Sequence, residues 1–157
     1  MKKFIIIGLV IILLIIIFVV IFFLNKDKIS NISEINTFNY SYSVGNYYEA
    51  RVEYNLVCND KCILSFKDKG ISIDDAKEYV VDKKIVDELS DILNKYKVGY
   101  WNGFNKSDKR VMDGGSFSLY LKMNNNKSVS ARGYMKWPKN YSNVKEELII
   151  LFSKYMK

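Results

Sequence analysis

Apolar and polar positions divide this chain into two regimes. Residues 4–24, FIIIGLVIILLIIIFVVIFFL, carry no charged or polar side chain across 24 − 4 + 1 = 21 positions. As a helix rising about 1.5 Å per residue, that run spans roughly 32 Å, against a hydrocarbon core of about 30 Å. Its β-branched and aromatic residues are poor helix formers in water, but in lipid each backbone group must pair within its own segment. The pattern predicts a transmembrane helix over 4–24. A cleaved secretory signal is the competing reading, and Lys2 and Lys3 would suit one. Signals, however, carry about 7–15 apolar residues and end in small ones. This run ends Ile21-Phe22-Phe23-Leu24-Asn25, so an uncleaved anchor is expected.

After the span the period changes. Residues 25–37, NKDKISNISEINT, are polar and read as a linker. From Phe38 a period of two sets in, with Phe38, Tyr40 and Tyr42 on one side, then a Gly45-Asn46 turn. Tyr48, Ala50, Val52, Tyr54, Leu56 and Cys58 share a strand face, and Glu49, Arg51, Glu53 and Asn55 share the other. Folding the chain at Asn59-Asp60-Lys61 sets Cys58 against Cys62, Leu56 against Leu64 and Tyr54 against Phe66. All six side chains then lie on one face, as a correct hairpin register requires.

A short Ile71-Ser72-Ile73 segment follows, and then a period near 3.6. Ile85, Leu89, Ile92, Leu93 and Tyr96 predict a helix, with Asp82 as its N-cap and Gly99 as its stop. Asn105 to Met112 reads as a loop. Phe117, Leu119, Leu121 and Met123 alternate, Asn124 to Asn126 turn, and Val129, Ala131 and Gly133 return. A closing helix starts near Ser142 or Asn143 and turns Val144, Leu148, Leu151, Phe152 and Tyr155 inward. The expected architecture is α+β, in the order β-β-β-α-β-β-α, with helices on one face of an antiparallel sheet. The expected organisation is a cytoplasmic stub 1–3, a transmembrane helix 4–24, a linker 25–37 and an extracytoplasmic domain 38–157. Lys2 and Lys3 favour a cytoplasmic N-terminus, although Lys26 and Lys28 weaken the asymmetry.

Composition then narrows the chemistry. The chain has no histidine, which removes Ser-His and Cys-His nucleophiles and imidazole metal ligands. Its two cysteines cannot alone supply a four-ligand zinc site, and Cys58-Asn-Asp-Lys-Cys62 lacks the two-residue spacing of thioredoxin-type redox pairs. Outside the cytoplasm a structural disulfide between Cys58 and Cys62 is expected, with paired thiols or a cycling bridge as alternatives. Asp108, Asp113 and the Asp74-Asp75 pair could serve a carboxylate-dependent hydrolase, but nothing in the sequence sets their separation, and Asp before Gly is chiefly a turn former. The expected protein is not an enzyme and holds no cofactor or metal.

Net charge is +7, and removing Lys2 and Lys3 leaves +5 beyond the span. That surplus fits either a solvated surface or anionic partners such as lipid headgroups and acidic wall polymers. A candidate ligand face gathers Trp101, Arg110, Arg132, Tyr134, Lys136, Trp137 and Lys139, where cations alternate with aromatics. A nucleic-acid partner is not expected of a domain outside the cell. The stretch GYWNGFN, residues 99–105, can be read as part of that face or as a latch in which Trp101 and Trp137 close one end of the core. The latch is favoured, with Gly103 and Gly114 at positive φ and Pro138 stopping the returning strand.

Trp101-Asn102-Gly103-Phe104, Asp113-Gly114-Gly115-Ser116-Phe117-Ser118-Leu119 and Gly133-Tyr134-Met135-Lys136-Trp137-Pro138-Lys139-Asn140-Tyr141 occur in this order before the final helix. The order resembles that of a group of small membrane-anchored or lipoprotein domains of Gram-positive and gut bacteria. The likeness covers residues 82–157 and excludes the cysteine pair. It implies a fold and no activity. The resulting expectation is a single-pass membrane protein displaying a non-enzymatic domain that binds or regulates another envelope component, with wall-polymer or sugar binding as the alternative.

Overall fold

The structure, a computed structural model, describes residues 10–20, 28–45, 51–68 and 75–157. It is α+β, with a seven-stranded mixed sheet and three helices. The strands are β1 (Ile35–Ser43), β2 (Arg51–Cys58), β3 (Cys62–Lys67), β4 (Lys77–Val81), β5 (Asn105–Ser107), β6 (Ser116–Met123) and β7 (Ser128–Tyr134). The helices are α1 (residues 10–20), α2 (Lys84–Lys95) and α3 (Tyr141–Tyr155), with a 3-10 turn at Val98–Trp101 after α2. Strand order across the sheet is β4-β3-β2-β1-β6-β7-β5.

Both hairpins form in the registers that alternation predicts. In β2–β3, Tyr54 pairs with Phe66, Leu56 with Leu64 and Cys58 with Cys62. In β6–β7, Phe117 pairs with Gly133, Leu119 with Ala131 and Leu121 with Val129. β1 joins the hairpins through β2 and β6, so Phe38 lies between Leu56 and Leu121, and Tyr40 between Tyr54 and Leu119. These side chains form one buried face. Ile85, Leu89 and Leu93 of α2 and Val144, Leu148 and Phe152 of α3 complete the core, with the Phe152 ring stacked on Tyr54 at 4.8 Å.

Several expectations are corrected. β4 and β5 add two strands, giving β-β-β-β-α-β-β-β-α after α1, and the sheet is not wholly antiparallel because β5 runs parallel to β7. β4 is an edge strand paired with β3; its Tyr79 and Val81 face the core while Val80 is exposed, so the apolar run Tyr79-Val80-Val81 masks the alternation in the sequence. β5 has three residues and lies where a loop was expected. It is held to β7 by Gly103 N–H donating to Ser130 O and Arg132 N–H donating to Phe104 O.

The domain also begins before Phe38. Ile32 and Ile35 are fully buried, and the Asn94 side chain brackets Ile32, accepting from its N–H and donating to its C=O, both at 2.8 Å. Polar spacing had hidden those isoleucines inside the supposed linker. Asp82 accepts from Lys84 N–H at 2.7 Å, one residue ahead of the N-cap, Lys83. α2 ends before a left-handed Lys97 rather than at Gly99. A Cβ on Gly99 would sit 1.9 Å from the Ile29 carbonyl oxygen, so its bareness admits the incoming chain. Gly103 takes the expected positive φ of 78°, but Gly114 does not. Gly114 is instead pressed against Met135.

Of the expected transmembrane run, residues 10–20 are described, and all are helical and exposed. Residues 4–9 and 21–24 lie outside the described residues, as do the stub 1–3, Tyr48, Ala50, the Ile71-Ser72-Ile73 segment and Asp74. Among the described residues no helix is long and apolar enough to cross a membrane.

Candidate functional site

The helices cover one face of the sheet, and the strand period sends every second residue to the other. There β1 and β6 contribute Asn39, Ser41, Ser43 and Ser116, Ser118, Tyr120. Register arranges these into rows across four strands. One row runs Arg51, Ser43, Ser116, Tyr134, and the next runs Glu53, Ser41, Ser118, Arg132. A third runs Asn55, Asn39, Tyr120, Ser130.

Arg51 ties the first row to the second, and a hydroxyl pair bonds within the first. Arg51 Nη2 donates to Ser41 Oγ at 2.6 Å, and Arg51 Nε lies 3.1 Å from Glu53 Oε1. Ser43 and Ser116 share a hydroxyl hydrogen bond of 2.8 Å. Two shallow concavities of about 350 and 380 Å³ open onto this face and share Arg51 and Ser118. The guanidinium, hydroxyls and amides form a broad hydrogen-bonding surface suited to a hydrophilic partner, extended across strands rather than enclosed. Alternation along β2 had placed Arg51 and Glu53 on this side. The serines were missed, although Ser41-x-Ser43 and Ser116-x-Ser118 repeat the same period on the polar phase.

The predicted ligand face is divided among three places. Arg132 stands on the open sheet face between Ser118 and Asn105. Arg110 and Lys136 converge on Asp108: Arg110 Nη2 and Nε reach its carboxylate at 2.7 and 2.9 Å, and Lys136 Nζ lies at 3.5 Å. These partners, the Arg110 side chain first and its backbone N–H second, hold the Asp108 carboxyl well below the usual carboxylate range. A carboxylate so stabilised is an ion-pair partner, poorly suited to donate a proton near neutrality. Tyr134 serves the same loop: its hydroxyl donates to Met112 O at 2.8 Å and accepts from Gly114 N–H at 2.9 Å.

Trp101, Trp137 and Lys139 occupy the third place. Trp101 is 4% exposed, and its Nε1–H donates to Lys139 O at 3.2 Å. Its ring meets Phe117 edge-on and lies 6.2 Å from Tyr141. Trp137 is 41% exposed and stacks on Tyr141 at 4.6 Å. Trp101 is thus placed as a latch, and Trp137 as the outer leaf of the same aromatic stack. Beneath it, the Tyr40 hydroxyl donates to the Tyr141 hydroxyl at 3.2 Å. Burial pushes the Tyr141 phenol up to about 12 and Tyr40 further.

Cys58 and Cys62 are joined in a disulfide, as their facing positions predicted. Among the described residues no group of three or more Cys, Asp or Glu side chains is placed to hold a metal ion. No family model matches this chain, and no curated protein matches it either.

Proposed function

We propose that this chain is a single-pass membrane protein, anchored by residues 4–24 with its N-terminus in the cytoplasm. Its α+β domain, on the outer side, is a non-catalytic module that binds another component of the envelope. The observation carrying this reading is the one-sided covering of the sheet: the helices bury one face, and the other presents ordered polar rows around Arg51, Ser118 and Arg132. The uncharged 21-residue run and the bonded cysteine pair support the anchor and an oxidising compartment. The Trp101-x-Gly103-Phe104 and Trp137-Pro138 pattern agrees with the membrane-anchored domains that it resembles.

A photo-crosslinking residue placed at Asn55 or Tyr120, both exposed on the open face, should give a discrete covalent adduct in intact cells. The same group at Glu146 on the outside of α3 should give none. Adducts from Glu146 alone would move the partner to the helical face, and silence at all three positions would remove the binding role.

The second reading is a wall-polymer or sugar module, favoured by the exposed Trp137 ring beside Lys136. It predicts salt-sensitive retention on anionic wall polymer that is lost in Trp137→Ala. Retention unchanged by that substitution would dismiss it.

A further inference from the structure

The folded domain takes hold of the chain only a few residues beyond the apolar run. Ile29 N–H donates to Gly99 O at 3.2 Å, and Asn94 brackets Ile32 from both sides. Between Leu24 and Ile29 lie 29 − 24 = 5 backbone steps. At no more than about 3.5 Å per residue these reach roughly 17 Å, less than the thickness of the domain. If residues 4–24 span the bilayer, one end of the domain has no choice but to stand at the headgroups.

That end is chemically distinct. Lys28 Nζ lies 5.6 Å from the centre of the Tyr100 ring, and Tyr100 is 49% exposed. Lys97, exposed on the left-handed residue that opens the 3-10 turn, stands three positions before Tyr100. Lys127 lies on the β6–β7 turn, its N–H donating to Asn125 Oδ1 at 3.0 Å. A concavity of about 430 Å³ joins Lys28 to the β6–β7 turn, lined by Lys28, Ser30, Asn31, Asn102, Asn125 and Lys127 among others, with no acidic residue in its lining; Lys97 and Tyr100 stand outside it. Glu34, Asp82 and Asp87 line a neighbouring concavity at the same end of the sheet, which reaches from Asn124 of the β6–β7 turn to Cys58 and Cys62, so the cations gather at the Lys28 corner of that end. Lysine ammonium groups attract the anionic leaflet, hydroxyls and amides satisfy phosphate oxygens, and tyrosine rings favour the interfacial layer.

We infer that the end of the domain bearing Lys28, Lys97, Tyr100 and Lys127 docks on anionic phospholipid headgroups of the membrane that anchors it. This rests on the anchored reading above. Docking fixes the domain's orientation: the β6–β7 turn faces the bilayer, and the Asp108–Met112 loop and Trp137, at the opposite end of that hairpin, face away. The open sheet face then stands roughly upright to the membrane, where a partner can approach it sideways.

Lysine footprinting of the full-length protein tests this. The chain is reconstituted in phosphatidylcholine vesicles, with and without phosphatidylglycerol, and in detergent micelles with a soluble polyphosphate. Amine acylation at each lysine is then followed by mass spectrometry. In phosphatidylglycerol vesicles, acylation of Lys28, Lys97 and Lys127 should slow by about threefold or more, while Lys109 and Lys139 react as they do in micelles. High salt should restore the three. Equal protection in pure phosphatidylcholine would overturn the anionic-headgroup assignment. Equal protection by polyphosphate in micelles would make the site a general phosphate site. No protection anywhere would end the proposal. Carbonate extraction of the same vesicles separates the two ideas, since release of the chain defeats the anchor, whereas retention without protection defeats only the docking.

Discussion

The two β-hairpins obey the same rule and are secured differently. In β6–β7 the inward residues Phe117, Leu119, Leu121, Met123, Val129 and Ala131 are buried, and the end away from the turn is held by packing: Phe117 lies against Trp101, Trp137 and Tyr141. In β2–β3 the outer strand leads towards the sheet edge, where β4 is mostly exposed. There the turn end is closed by the Cys58–Cys62 bond instead. Each hairpin has a neighbour on both sides, β1 and β4 for β2–β3 and β1 and β5 for β6–β7, so what differs is the lock: aromatic packing in one and a covalent tie in the other.

Breaking the packed hairpin should have the larger effect. Trp101→Ala removes a buried indole and orphans the Lys139 carbonyl, and should lower stability by about 3–5 kcal/mol in denaturant unfolding, or prevent folding. An unchanged denaturation curve would show that Trp101 latches nothing. Opening the tied hairpin should matter less: reduction, or Cys58→Ser with Cys62→Ser, should lower stability by about 2 kcal/mol while leaving the β-sheet circular dichroism intact.

Two buried tyrosines, Tyr141 in the aromatic stack and Tyr54 on the tied hairpin, give the fold a pH signature. Tyr141 and Tyr54 are raised from 10.0 to about 12, chiefly by burial. The folded state therefore favours their protonated forms more than the unfolded chain does. Their contribution is complete below pH 10 and is lost as pH rises from 10 through about 12. Unfolding free energy should be flat on approach to pH 10 and then fall, and Tyr141→Phe should reduce the slope. A slope unchanged in that variant would assign the loss elsewhere.

Trp137→Ala, which removes only the outer leaf of the stack, should lower stability by about 1 kcal/mol, and its thermal midpoint should stay well above that of Trp101→Ala. Lys139→Ala should change stability by no more than about 0.5 kcal/mol, because only the backbone of Lys139 is used by the latch.

The legible parts of the sequence were those where periodicity and burial coincide. Strands β2, β3, β6 and β7 each have a solvated and a buried face, so alternation specified both register and core. α2 could be read from its spaced Ile85, Leu89 and Leu93. β4 and β5 were illegible for physical reasons: the exposed Val80 masks the alternation of β4, and a three-residue parallel strand owes its form to β7, distant in sequence. Ile32 and Ile35 were missed because isolated apolar residues among Asn, Ser and Glu look like a solvated tether until Asn94, 62 positions away, is seen to receive that backbone. The candidate surface was half legible. Its charges were conspicuous, but serines read as filler until register lines them up across four strands.

β1 is the fourth of seven strands, and the tether leads straight into it. In the proposed anchored arrangement, tension between membrane and partner would be delivered lengthwise to the middle of the sheet, where ladders to β2 and β6 would have to shear together rather than unzip one bond at a time. The Ile29–Gly99 hydrogen bond and then the Asn94 bracket at Ile32 would take the first load. Strung in that proposed way, the domain would bear force as a single mechanical unit, yielding first at its grip on residues 29–32 and not in the sheet.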